Sequence, residues 1–144
     1  MIARRHNRAS RTGIAAVEFA IVLPVLMFFF GTGVDFARAF YANLIITNAS
    51  RNAALYGCNN PTTAADTVGI QNVALTDTTD LGSSVTVTSS TFTDTTGTEY
   101  VQVGVSYPFT PITPFAGFTS SLTLNQSTTM RVEPTTPRPG SYSY

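Results

Sequence analysis

Residues 14–34 read IAAVEFAIVLPVLMFFFGTGV, an apolar run carrying one acid, Glu18, and one proline, Pro24. At about 1.5 Å of rise per residue, roughly 20 residues of helix match a hydrocarbon core of about 30 Å, so the run can cross a bilayer once. A cleaved secretory signal is the rival reading, since a basic start precedes the run. However, the run is longer than a usual signal core, and Phe28-Phe29-Phe30-Gly31-Thr32-Gly33 is a poor small-residue cleavage site. The segment is therefore expected to stay in the mature protein.

Arg4, Arg5, Arg8 and Arg11 all precede the first acid, Glu18, whereas Asp66, Asp77, Asp80, Asp94 and Glu99 lie far downstream. Net charge is zero, so this asymmetry reads as topology rather than nucleic-acid binding. The arginines are expected to hold the N-terminus in the cytoplasm, with the chain beyond about residue 34 exported. Only 11% of the 144 residues are charged, about half the usual share for a soluble domain, while 43% are hydrophobic. One segment takes most of that apolar excess, and the remainder suffices for one small domain, too little for a large enzyme. The lone Cys58 has no internal partner for a disulfide. A buried inert thiol and an intermolecular bridge both stay open.

Within the run, Glu18 and Pro24 are costly. A charge at mid-bilayer costs about 2.5 to 3.5 kcal/mol on insertion scales, although Glu18 lies only about one turn from the cytoplasmic face. It either snorkels to that face or meets a partner charge. Pro24 removes one backbone donor and crowds the carbonyl of Ala20, so a weakening or kink is expected there.

The string Gly13-Ile14-Ala15-Ala16-Val17-Glu18-Phe19 after a basic leader looks like the processing site of type IV pilins and pseudopilins. The continuation GIAAVEFAIVLPVLMFFFGTGVDFARAFYANLIITNASRNAALYG resembles the TadE-like family of minor pseudopilins of the Flp (tight-adherence) pilus system. The resemblance implies cleavage by a prepilin peptidase after Gly13. That would leave Ile14 as the new N-terminus and Glu18 as its fifth residue, neutralising the terminal ammonium of a neighbouring subunit. It implies as partners other pilin or pseudopilin subunits, the prepilin peptidase and the inner-membrane platform, besides the lipid bilayer.

No breaker intervenes between Asp35 and Tyr56, and Gly57 followed by Asn59-Asn60-Pro61 is a strong stop, so the helix should continue over residues 35–57. Ala42, Ile45, Ile46, Ala49, Ala53 and Tyr56 form one stripe suited to docking a small domain; Phe36, Phe40 and Leu44 form a second apolar row, open to a sister subunit or to chance. Asp35 and Arg38, three apart, should pair for a few tenths of a kcal/mol. Asn48-Ala49-Ser50 is formally a glycosylation acceptor, but it sits mid-helix.

The exported domain is expected over residues 58–133. A short second helix, capped by Thr62 or Thr63, should run from about 64 to 75 with Ala65, Val68 and Val73 inward. The period then changes to two: Val85 and Val87; Val101, Val103, Val105 and Tyr107; and Leu122, Leu124, Met130 and Val132 mark three strands with one apolar face each. Asp94-Thr95-Thr96-Gly97 suits a hairpin, and 108–115, PFTPITPF, suits a rigid crossover. The expected fold is α+β and pilin-like, a long N-terminal helix packed on a small antiparallel three-stranded sheet. Phe109, Phe115 and Phe118 of the crossover form either a docking patch or a cap on the open end of the sheet. Residues 134–144 read as a Pro- and Ser-rich tail.

The chain holds no Gly-rich phosphate loop and no Cys or His pair, and its one histidine, His6, lies in residues 1–13, the expected leader. Asp77 and Asp80 lack a calcium-loop pattern. No enzyme activity, cofactor, metal, nucleic acid or small-molecule substrate is expected. The leading reading is a structural minor pilin or pseudopilin for assembly or priming of a Flp-type pilus. The alternative is a single-pass membrane-anchored periplasmic binding or sensor module.

Overall fold

The computed structural model describes residues 9–113 and 122–134. Helix α1 (Ala9–Gly57) has 49 residues and runs through Pro24 as one element, a length of about 74 Å at about 1.5 Å per residue. It ends where the stop signal stands, with the amide of Cys58 donating to Ala54 O at 2.9 Å.

The expected single second helix is two. Asn60 caps α2 (Pro61–Ala65) through a reciprocal pair: the Thr63 amide donates to Asn60 Oδ1 at 2.9 Å, and the Asn60 amide donates to Thr63 Oγ1 at 3.1 Å. Asp66 then starts α3 (Thr67–Asp77), accepting from the Gly69 amide at 2.9 Å. This second cap turns the chain between the two helices. Ala64, Ile70 and Ala74 are buried and Val73 half-buried, while Ala65 and Val68, expected inward, face solvent. A one-turn 3-10 segment (Thr79–Leu81) follows.

The Tyr56 hydroxyl donates to Asp66 Oδ2 at 2.8 Å. The Gly69 amide and this hydroxyl hold the Asp66 carboxyl below its usual range, and the same bond raises the tyrosine. A Cβ at position 69 would collide with both groups, so glycine is required by close approach rather than by turn geometry.

The three strands β1 (Thr86–Thr93), β2 (Glu99–Phe109) and β3 (Leu122–Arg131) form an antiparallel meander in that order. Gly97 (φ 79°) closes the β1–β2 hairpin, and Asp94 accepts from the amides of Thr96 at 2.8 Å and Thr98 at 3.0 Å. The inward face of β2, Val101, Val103, Val105 and Phe109, is buried. It lies on α1, where Ala42, Ile46, Ala49 and Ala53 of the expected stripe are buried and Ile45 and Tyr56 half-buried. Small residues on this stripe let the sheet approach closely. At the helix end a Cβ on Gly57 would meet Val101 Cγ2 at 3.1 Å and Ile70 Cδ1 at 3.2 Å. The centre of β3 packs differently. Gln126 Nε2 donates to Asn43 Oδ1 at 2.9 Å, and Ser50 Oγ shares a hydrogen bond of 3.0 Å with Thr128 Oγ1, so helix and sheet meet there through polar pairs.

Ile46 is fully buried in the core that includes Val101, Val103 and Val105. Ile46→Ala removes three carbons from it and should cost about 2 to 5 kcal/mol. A clear fall in the thermal unfolding midpoint in detergent is expected; an unchanged midpoint would mean that the stripe does not hold the domain.

Candidate functional site

Residues 13–30 of α1 are exposed almost throughout, Leu23 alone being half-buried. Ile14 is 61% exposed and Phe30 72%. No described residue covers this length, and an apolar surface of this extent suits lipid or other chains. The Thr32 hydroxyl donates back to Phe28 O at 3.1 Å and Phe29 O at 2.9 Å, leaving no free polar donor on that turn. Glu18 is exposed and has no hydrogen bond or ion pair among the described residues. Around Gly13 there is open space within 4 Å of a would-be Cβ, so the Gly13–Ile14 bond is sterically uncovered by the described residues. Arg4, Arg5 and Arg8 lie outside the described residues, and of Arg11 only the backbone, within α1, is described.

Glu18 and Phe36 are five helical turns apart, so at about 100° per residue they fall on one azimuth. Phe36, Phe40 and Leu44 are 75%, 57% and 45% exposed. The second apolar row is thus exposed and starts on the side on which Glu18 stands, about a third of a turn from the domain-bearing stripe.

Where the apolar run ends, one residue ties three parts of the molecule together. Asp35, 8% exposed, accepts from the backbone amides of Ile112 at 2.9 Å and Thr113 at 2.7 Å, from the Thr113 hydroxyl, and from Arg38 Nη1 at 3.0 Å. The Ile112 amide, then the two Thr113 donors and Arg38, hold the Asp35 carboxyl far below the usual carboxylate range against the opposing effect of burial. One turn earlier, Gly31 makes room: a Cβ there would sit 2.5 Å from Thr113 Cγ2. Arg38 spans the gap above, its guanidinium 5.3 Å from the centroid of the Phe109 ring. Phe109 is only 4% exposed, so it fastens the sheet to the helix and is not part of an open docking patch. Phe115 and Phe118 lie outside the described residues.

The sequence points to Asp35 and Arg38 only as a weak surface pair. The strong partners are 77 and 78 residues away, and no periodicity connects them. The available signal was an acid placed immediately after an apolar run. Asp77 and Asp80, weighed as a loop pair, instead bond back to α1: Asn52 Nδ2 donates to Asp77 Oδ2 at 2.7 Å, and the Tyr41 hydroxyl donates to Asp80 Oδ2 at 3.4 Å. Cys58 is half-buried, its thiol donating to Leu55 O at 3.3 Å, and its carbonyl accepts from the Glu133 amide at 2.8 Å.

These features lie along one helix: an open glycine, an acid in the apolar run with no partner among the described residues, an exposed aromatic row and a carboxylate latch. Residues 13–55 match the family of TadE-like proteins. The TadE-like segment begins at Gly13 and takes in Glu18, Asp35 and most of the domain-bearing stripe. The match suggests a Tad pilus-associated protein, and the long apolar helix is consistent with a membrane anchor. No curated protein and no solved structure matches the chain.

Because its folded pKa is depressed, Asp35 contributes stability that is complete above the ordinary value of 3.8 and is lost as pH falls below it. Asp35→Asn should therefore lower the unfolding midpoint in detergent by a constant amount from about pH 7 to pH 5. The gap to the native protein should shrink steadily below about pH 4. A gap that is absent at neutral pH, or that widens in acid, would contradict the latch.

Proposed function

We propose that this chain is a minor pseudopilin that contributes to the assembly or priming of a Flp-type, tight-adherence pilus. The observation that carries the reading is that the TadE-like match starts at Gly13 and is followed by an exposed apolar helix whose one acid has no partner among the described residues.

In this reading a prepilin peptidase cuts after Gly13, removing the basic leader and exposing the ammonium of Ile14. Four residues on, the carboxylate of Glu18 meets the corresponding ammonium of a neighbouring subunit. Each charge alone is costly in a low-dielectric setting, and each is relieved only when two helices sit in one axial register. The pair thus selects register, and the apolar surface of residues 14–34 supplies the packing around it. The leader arginines keep the N-terminus cytoplasmic and the domain after residue 34 exported. The exposed row of Phe36, Phe40 and Leu44 continues the Glu18 side outward and offers helix–helix contact beyond the bilayer. Partners are other pilin or pseudopilin subunits, the prepilin peptidase and the inner-membrane platform. A main Flp pilin carries no sizeable exported domain, and the α+β domain here favours a minor or priming role.

Glu18→Ala should insert in the membrane as well as the native chain or better, because it removes a charge from the apolar run. It should fail to co-purify with the other pilus subunits, since loss of one partner of a buried ion pair costs about 3 to 5 kcal/mol, two orders of magnitude or more in association. Normal co-purification of the alanine variant would defeat the register role.

A further inference from the structure

The crossover that leaves β2 does not stay with the sheet. Residues 112 and 113 are brought down to the level at which α1 leaves its apolar run, with both amides on Asp35 and the Thr113 methyl in the notch at Gly31. Gly31 lies within the apolar run of residues 14–34 and Asp35 is the first residue beyond it. Their shared contact with Thr113 sets the height of that corner of the domain. Although its backbone is tied down, Ile112 keeps its side chain 67% exposed. On the neighbouring turns Phe36 is 75% exposed and the Arg38 side chain 43% exposed. The charge of Asp35 is paired with that of Arg38 at 3.0 Å, so the two together bring no net charge toward anionic lipid. The sequence continuing from Thr113, PFAGFTSS, carries no charged residue.

We propose that this corner is a second membrane contact. Ile112 enters the boundary between headgroups and acyl chains of the bilayer that α1 spans, and Arg38 faces lipid phosphate at the same surface. An apolar side chain next to a snorkelling arginine is the usual chemistry of that boundary. The contact rests on the reading of α1 as a membrane-spanning helix. Its consequence is orientation. A helix held by its span alone can tilt toward any of its faces, whereas a second contact on the Asp35 side favours tilt toward that face.

The chain contains no tryptophan, so a single indole can report each position. Ile112→Trp and, separately, Val25→Trp are placed in the full chain and reconstituted into phosphatidylcholine–phosphatidylglycerol vesicles. Quenching by acyl-chain-brominated lipid is compared with quenching by aqueous acrylamide. Both indoles should be quenched by the brominated lipid and shielded from acrylamide, Trp emission at 112 lying between that at 25 and that of a free indole in water. Adding Asp35→Asn should abolish lipid quenching at 112 and leave it unchanged at 25. Lipid quenching at 25 with acrylamide access at 112 overturns the second contact while leaving the span intact. Shielding of 112 from both quenchers means that protein covers it, and also overturns the proposal. Absence of lipid quenching at 25 removes the span itself and the contact with it.

Discussion

The packing of Ile46, Ala49 and Ala53 of α1 against Val101, Val103 and Val105 of the sheet joins two environments through one rod. Burial of these side chains is what allows the outer half of a 49-residue helix to persist after it leaves the apolar run, since a helix of that length with bare apolar faces in water has no other support. Because the same helix carries the uncovered residues 13–30, any displacement of the domain turns or shifts the membrane half with it. The domain and the anchor are mechanically one piece.

Asp35 stands at the seam. A carboxylate with backbone donors from a distant loop behaves as a staple, and its low pKa keeps it charged under any ordinary condition. The glycine one turn below and the arginine one turn above complete the arrangement: Gly31 admits Thr113, and Arg38 lies over Phe109 while also bonding Asp35. Three short-range features of the helix thus place a loop from the far side of the sheet. Closer to the N-terminus the logic reverses, since Glu18 has no such donors among the described residues.

Much of this was legible in the sequence because it is periodic. The helix declared itself by apolar length, by a stripe at helical spacing and by the stop at Gly57, Asn60 and Pro61; the strands declared themselves by alternation around Val101, Val103 and Val105. What escaped was set by single side chains acting at a distance. Asn60 and Asp66 each cap a helix, and two caps so close together break into two pieces what apolar spacing alone reads as one. Gln126 and Thr128 sit on the inward face of β3, where an apolar pattern is expected, because Asn43 and Ser50 await them on the helix. Asp35 was visible only as a local pair with Arg38, and Phe109 as one aromatic among several in a crossover, until the fold brought them to the same turn.

Taken as a subunit, the molecule divides its work by height along α1. In the proposed reading the lowest part holds the cleavage site and the register acid; the middle holds the Asp35 latch, and the outer part holds the domain. The proposed register pair depends most on Gly13, since without processing at that position there is no Ile14 ammonium for the acid at 18 to meet. Intact-mass measurement of the protein extracted from its native membrane tests this most directly. A mature chain beginning at Ile14, with the apolar run and domain retained, is the predicted result; an uncut Met1, or a chain cut near Gly33 that has lost the run, would contradict it.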